Sequence, residues 1–169
     1  MGLETSESLM NEFPHFMIDS DKIKKLGIRM FMRDTLPTTL PQGSYILNLD
    51  KSTGGGTHFT CFCFKFPNVY YVDSFGTDKS GYPPEELRQF ARRNDYLTIY
   101  SNEDDVQHLN SWLCGWYAIY FCQKMKKYYN QLTPQTFDTI IHKGFTKYPS
   151  DSNVELLKQW ASKKGIGFD

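Results

Sequence analysis

Four residues in this 169-residue chain have the types and surroundings for nucleophilic chemistry: Cys114, His58, Asp73 and Gln107. Cys114 stands directly before Gly115, behind a polar loop and at the head of an aromatic run that reads as a helix. Unpaired N–H groups and the macrodipole at a helix N-terminus favour an anion, so a thiol placed there is activated towards its thiolate. Gly115 leaves room for a substrate backbone beside the sulfur. A cysteine in an aromatic helix can equally serve as a small buried hydrophobe, and position alone does not separate the two roles.

A thiolate nucleophile needs a base held close. Of His15, His58, His108 and His142, only His58 starts a strand-like segment beside a glycine-rich loop, Gly54-Gly55-Gly56. Rigid elements hold catalytic groups better than mobile loops do, which ranks His58 ahead of the loop residue His108. If 57–66 and 68–73 pair as an antiparallel hairpin turning at Pro67, His58 comes within about two residues of register of Asp73, where an orienting carboxylate is wanted. Taken singly, Asp73 also suits a strand-end turn and His58 a hydrogen-bonded core histidine. A metal site with Cys61 and Cys63 is disfavoured, because strand alternation points His58 away from both. Gln107, in the loop before Cys114, could join the Cys114 N–H in binding an oxyanion, or be an ordinary solvated glutamine.

The elements that must position these residues follow from pattern. A short helix over 3–13 and a helical turn ending at Leu26 are expected first, then a loop marked by Pro37, Pro41 and Gly43. Ser44–Leu49 reads as a strand, 57–66 and 68–73 as a buried hairpin, and Tyr96–Tyr100 as a third central strand. Pro83-Pro84-Glu85-Glu86 opens a helix ending near Arg93. The longest helix begins near Leu113, where Cys114, Tyr117, Ala118, Phe121, Cys122 and Met125 recur at helical spacing while Trp116, Ile119 and Tyr120 make the other side apolar, so it is expected to be buried all round. Helices over Pro134–His142 and Val154–Lys163 follow. The sum is an α+β single domain, 1–169, with a small mixed sheet packed on a central buried helix and further helices around it.

Composition narrows the function classes. With 19 Lys+Arg against 19 Asp+Glu, no global charge advertises a nucleic-acid or anionic-membrane partner. Four cysteines at these spacings do not make a disulfide framework and are read as reduced. The polar start is no signal peptide, no stretch is long and apolar enough for a membrane span, and a soluble intracellular protein is expected. Met1-Gly2 with Ser6 satisfies the short myristoylation pattern.

Three stretches, Gly54-Gly55-Gly56-Thr57-His58-Phe59, Tyr70-Tyr71-Val72-Asp73-Ser74-Phe75-Gly76 and Gln107-His108-Leu109-Asn110-Ser111-Trp112-Leu113-Cys114-Gly115, together resemble the adenain family. These are the adenovirus maturation proteases, within the wider clan of SUMO-deconjugating cysteine proteases, and the chain order His, Asp, Gln, Cys-Gly is that clan's. The resemblance covers roughly residues 44–125. It implies a papain-like, adenain-like domain with Cys114 as nucleophile, His58 as base, Asp73 orienting it and Gln107 serving the oxyanion. It also implies a narrow cleft with Phe59, Trp112 and Gly115 against a substrate cut near Gly-Gly sequences. The substrates would be capsid or core precursors, and the setting the host cytoplasm or nucleus and the virion, in an adenovirus relative, a virophage or a Polinton-like element. Two departures matter. Tyr96 stands where adenovirus enzymes carry the cysteine that bonds an activating peptide, and the chain is neutral where those enzymes are basic and use DNA. No cofactor or metal, no membrane partner and no DNA requirement are therefore expected, with any activating peptide undetermined. The cluster Arg88, Arg92, Arg93 reads as a solvated helix face rather than a DNA track. The same residues could instead serve a ubiquitin-like deconjugating isopeptidase, acyl transfer to another acceptor, or a catalytically idle binding protein of the same fold.

Overall fold

The computed structural model describes residues 25–50, 58–76, 83–106, 113–146 and 148–165. Expectations that fall on the N-terminal helix, the myristoylation pattern, the triple-glycine loop, Gln107, His108 and Trp112 lie outside them.

Among the described residues one mixed sheet runs in spatial order β1-β2-β3-β4-β5: Met30–Met32, Gly43–Asn48, Phe59–Lys65, Asn68–Val72 and Thr98–Ser101. The centre is antiparallel, β2 with β3 and β3 with β4, while β1 and β5 join the two edges in parallel. β3 and β4 are buried on both faces, and their sequence shows it, with aromatic, β-branched and Cys residues in an almost unbroken run. Alternation sorts them cleanly. Cys61, Cys63, Tyr70 and Val72 face one core, Phe62, Phe64, Val69 and Tyr71 the other.

The first core is covered by α2, Cys114–Lys127, and the second by α1, Glu85–Arg93, through Leu87, Phe90 and Ala91. α3, Phe137–His142, and α4, Asp151–Lys163, pack on the outer side of α2. α2 is thus enclosed between the sheet and two helices, which is why both of its sides are apolar and Trp116 and Ile119 are fully buried. Burying an aromatic or large aliphatic side chain is worth about 1.5–3 kcal/mol each, so this helix and β3 are the chief contributors to stability. Lys65 ties the two together at the far end, its Nζ donating to the carbonyls of Tyr129 at 2.8 Å and Leu132 at 2.7 Å.

The α+β architecture, with a mixed sheet on a central buried helix, is the one expected. Four details differ, the first being that α3 begins at Phe137 and not at Pro134. β1 was not anticipated, being three half-buried residues in a parallel edge position that leave no alternation to read. The segment around Tyr96–Tyr100 is an edge strand rather than a central one and begins two residues later, paired with β4 alone. α4 starts at Asp151 instead of Val154, because Ser150 supplies the cap, its side chain accepting from the Asn153 N–H at 3.3 Å.

Candidate active site

The hairpin register brings His58 to Asp73. Cys61 pairs with Val72, so by continuation Thr60 lies opposite Asp73 and His58 two residues beyond it. Both residues stand just outside the strands, where the pleat no longer dictates direction, while the backbone of His58 remains tied to the sheet by Leu49 N–H donating to its carbonyl at 2.8 Å. The side chains meet at 2.7 Å, His58 Nε2 to Asp73 Oδ1. Asp73 is 1% exposed. Its Oδ1 also accepts from Phe75 N–H at 2.9 Å, and its Oδ2 is buried with no hydrogen-bond partner among the described residues.

Two residues that motif reading did not single out complete this half of the site. The Phe75 ring stacks on the His58 ring, centroids 4.5 Å apart and 10° from parallel, which fixes the plane of the imidazole. Asn102, at the end of β5 and buried, clamps the backbone of Asp73 from both sides. Its Oδ1 accepts from Asp73 N–H at 2.9 Å, and its Nδ2 donates to Asp73 O at 2.6 Å and Asp104 O at 3.0 Å. Phe75 lies within the matching stretch and could have been found there. Asn102 has no such signal, since an Asn after a strand is usually a turn residue.

The turn carrying Asp73 is pressed against the loop that leads towards Gln107. Gly76 has φ +74, and a Cβ there would lie 2.5 Å from the Glu103 carbonyl oxygen. Val106 N–H donates to Ser74 O at 2.9 Å, and Asn153 on α4 holds the same loop by donating to Val106 O at 3.2 Å.

Cys114 is the first residue of α2, with Leu113 as its N-cap and no cap hydrogen bond from the Leu113 side chain. The thiol is 3% exposed and packs in the core cluster with Leu113 and Phe59. Phe59, expected on a cleft wall, is buried in that same core, and Gly115 is buried in the first turn. Besides Asp73, Cys114 is the side chain that acts on the His58 ring. Since Nε2 is engaged by Asp73, the buried Nδ1, which makes no hydrogen bond of ordinary geometry among the described residues, is the atom left to meet the sulfur. Burial is the largest single influence on this imidazole and opposes its charge. Hydrogen bonds and charge from Asp73 and Cys114 outweigh it and raise the ring from 6.5 to about 10. At neutral pH His58 is then an imidazolium held between a carboxylate and the Cys114 side chain.

The other cysteines are separate in role. Cys61, Cys63 and Cys122 are free, fully enclosed core residues whose burial pushes each thiol up, away from the thiolate. Asp104, Asp138 and His142 bring one ligand atom each within 4.8 Å of one another. Much of that cluster is an intrahelical i, i+4 contact, His142 Nδ1 to Asp138 Oδ1 at 3.1 Å, with Asp138 half exposed, and such ion pairs form without a metal. Of the α1 arginines, Arg88 and Arg92 pair with Glu85 at 2.8 and 2.7 Å on an exposed face. No helix among the described residues is long and apolar enough to cross a membrane.

No protein-family model matches the chain, and no curated protein matches it in sequence. Among solved structures it is similar to that of an AvrA deletion variant with IP6 and CoA, at a TM-score of 0.47 and 14% identity over 83% of this chain. The chain spans 57% of that structure's length. A likeness of that degree says nothing about activity.

Proposed function

We propose that the chain is a thiol hydrolase that cleaves peptide bonds through Cys114, His58 and Asp73. The observation that carries this reading is the 2.7 Å contact of His58 Nε2 with Asp73 Oδ1 on a ring whose other nitrogen is left for a cysteine at a helix N-terminus. The thiolate attacks the substrate carbonyl carbon, and the oxyanion that forms is met by the Cys114 N–H and the Gln107 side chain. His58 Nδ1–H passes its proton to the leaving amine as the C–N bond breaks. Water, deprotonated at the same nitrogen, then attacks the thioester, and the acid is released as the sulfur leaves as thiolate beside the reprotonated His58.

The order of the matching stretches, whose adenain-like pattern runs from the Gly-rich loop to Cys114-Gly115, supports a viral maturation endopeptidase. Its substrates would be capsid or core precursors cut beside small residues, with Trp112 and Gly115 flanking the scissile bond, inside the infected cell or the virion. No DNA is required in this reading. The test is incubation of the full chain with Gly-Gly peptides, with bulky analogues of them and with ubiquitin-like conjugates, read by intact mass beside Cys114→Ala. Cleavage of the Gly-Gly peptides alone, lost in Cys114→Ala, is the expected result. Release of the modifier instead moves the substrate class to isopeptide bonds. Equal cleavage of bulky analogues overturns the narrow cleft, and unchanged cleavage by Cys114→Ala overturns the nucleophile.

A further inference from the structure

Six lysines, Lys124, Lys126, Lys127, Lys143, Lys163 and Lys164, line one open cavity of about 880 Å³, and among the described residues no Asp or Glu lines it. The cavity lies between the C-terminal half of α2, the turn after α3 and the last turns of α4. In a chain whose charges balance overall, this is a local excess, and it is handled unlike the other cations. Arg33, Arg88 and Arg92 each sit against a carboxylate, whereas among the described residues none of the six lysines makes an ion pair.

Helix-end electrostatics do not account for the gathering. The C-termini of α2, α3 and α4 supply roughly half a negative charge each, about one and a half in total, against six ammonium groups. Lys124 sharpens the point, because its side chain is 8% exposed and takes part in no ion pair among the described residues. Its Nζ donates to the Lys143 carbonyl and sits 4.7 Å from the Tyr120 ring centroid and 5.5 Å from that of Phe145. Burial, then Lys143 and Lys127, push its pKa down to about 8. Lys127 and Lys143 lie against the Tyr128 ring, 5.4 and 5.3 Å from its centroid. Lys124, Lys127 and Lys143 are thus positioned by aromatic rings and, for Lys124, a carbonyl, with no carboxylate paired to them among the described residues.

We propose that this cavity binds a compact polyanion of the oligophosphate class, a small molecule carrying several phosphate groups. The lysines converge from three elements on one concavity, where an extended strand of nucleic acid would ask for a stripe along the surface. Aromatic walls from Tyr120 and Trp160, packed edge to face at 5.2 Å, close its inner side. The site is distinct from Cys114, which begins the helix whose opposite end supplies Lys124 to Lys127, roughly 20 Å away at 1.5 Å per residue. It therefore stands or falls separately from the hydrolase reading.

Titration calorimetry of the full chain with inorganic tripolyphosphate, at fixed ionic strength and pH 7, tests the site. One equivalent is expected to bind and to raise the melting temperature. The pair Lys143→Gln with Lys163→Gln, both exposed positions, should weaken binding by on the order of tenfold or more. The matching pair of Lys→Arg changes should retain it. Without ligand the Gln pair should melt no lower than the native chain, since repulsion is relieved. Binding unchanged by the Gln pair, an equal response to potassium sulfate at the same ionic strength, or preferential binding of a duplex oligonucleotide through these lysines would each overturn the assignment.

Discussion

Replacing Asp73 by Asn removes a charge from the 2.7 Å contact with His58 while keeping its shape. The amide oxygen can still accept from Phe75 N–H, and the Asn102 clamp acts on the backbone, so the turn itself is expected to survive. A hydrogen bond to a charged group contributes about 1.5–3 kcal/mol, which at about 1.4 kcal/mol per pH unit corresponds to one to two units. The His58 imidazolium should thus become easier to deprotonate by that amount, down from the value of about 10 it has beside the carboxylate. A shift of that size leaves the ring protonated at pH 6.5 but deprotonates it earlier on the alkaline side, so the pH dependence of Cys114 carboxamidomethylation should move down by about one to two units. Histidine Cε1–H resonances followed against pH, assigned with His58→Gln, report the first quantity, and intact mass against time at each pH reports the second. An unshifted His58 titration together with an unchanged pH dependence of alkylation would show that Asp73 does not act on the imidazole, and the triad would have to be abandoned.

Other expectations follow from the same geometry. Because the folded-state pKa of His58 lies above its unfolded value, its contribution to stability is complete below about pH 6.5 and lost as pH rises towards about 10. Denaturant unfolding should show a decline across that window which His58→Gln flattens. Asn102→Ala strips both sides of the Asp73 backbone and leaves buried groups unpaired, at a cost of about 1–3 kcal/mol in unfolding free energy, and should slow Cys114 alkylation although Asn102 touches neither sulfur nor imidazole. Gly76→Ala combines positive φ with a 2.5 Å clash against a carbonyl, so a loss of at least about 1–3 kcal/mol is expected by the same measurement.

The sequence was most legible where burial is two-sided. β3, β4 and α2 have compositions that allow little else, and the hairpin register that brings His58 to Asp73 could be worked out from the turn at Pro67. The edges were less legible. β1 and β5 owe their strand character to the neighbour they pair with, and half-buried residues such as Met30 or Thr98 carry no alternation of their own. The supporting groups around the site were the least visible. Asn102 and Asn153 act through carbonyls and N–H groups brought together by folding, and side-chain identity alone does not forecast which backbone an amide will clamp. The lysine-lined cavity escaped for a related reason. Its members come from three separate helical segments, and only the packing of α4 against α2 turns ordinary solvated lysines into a single concentration of charge.

The placement of the sulfur on α2, apart from the hairpin that holds its base, makes this site slow to become dangerous. A nascent chain that has completed the hairpin holds the imidazole and the carboxylate but lacks Cys114. On the hydrolase reading proposed above, the sulfur meets its base only once α2 is packed on the sheet, the packing that also buries Trp116. Assembly of the reactive group is therefore tied to near-complete folding, and variants that fold poorly should be silent in the cell instead of promiscuous.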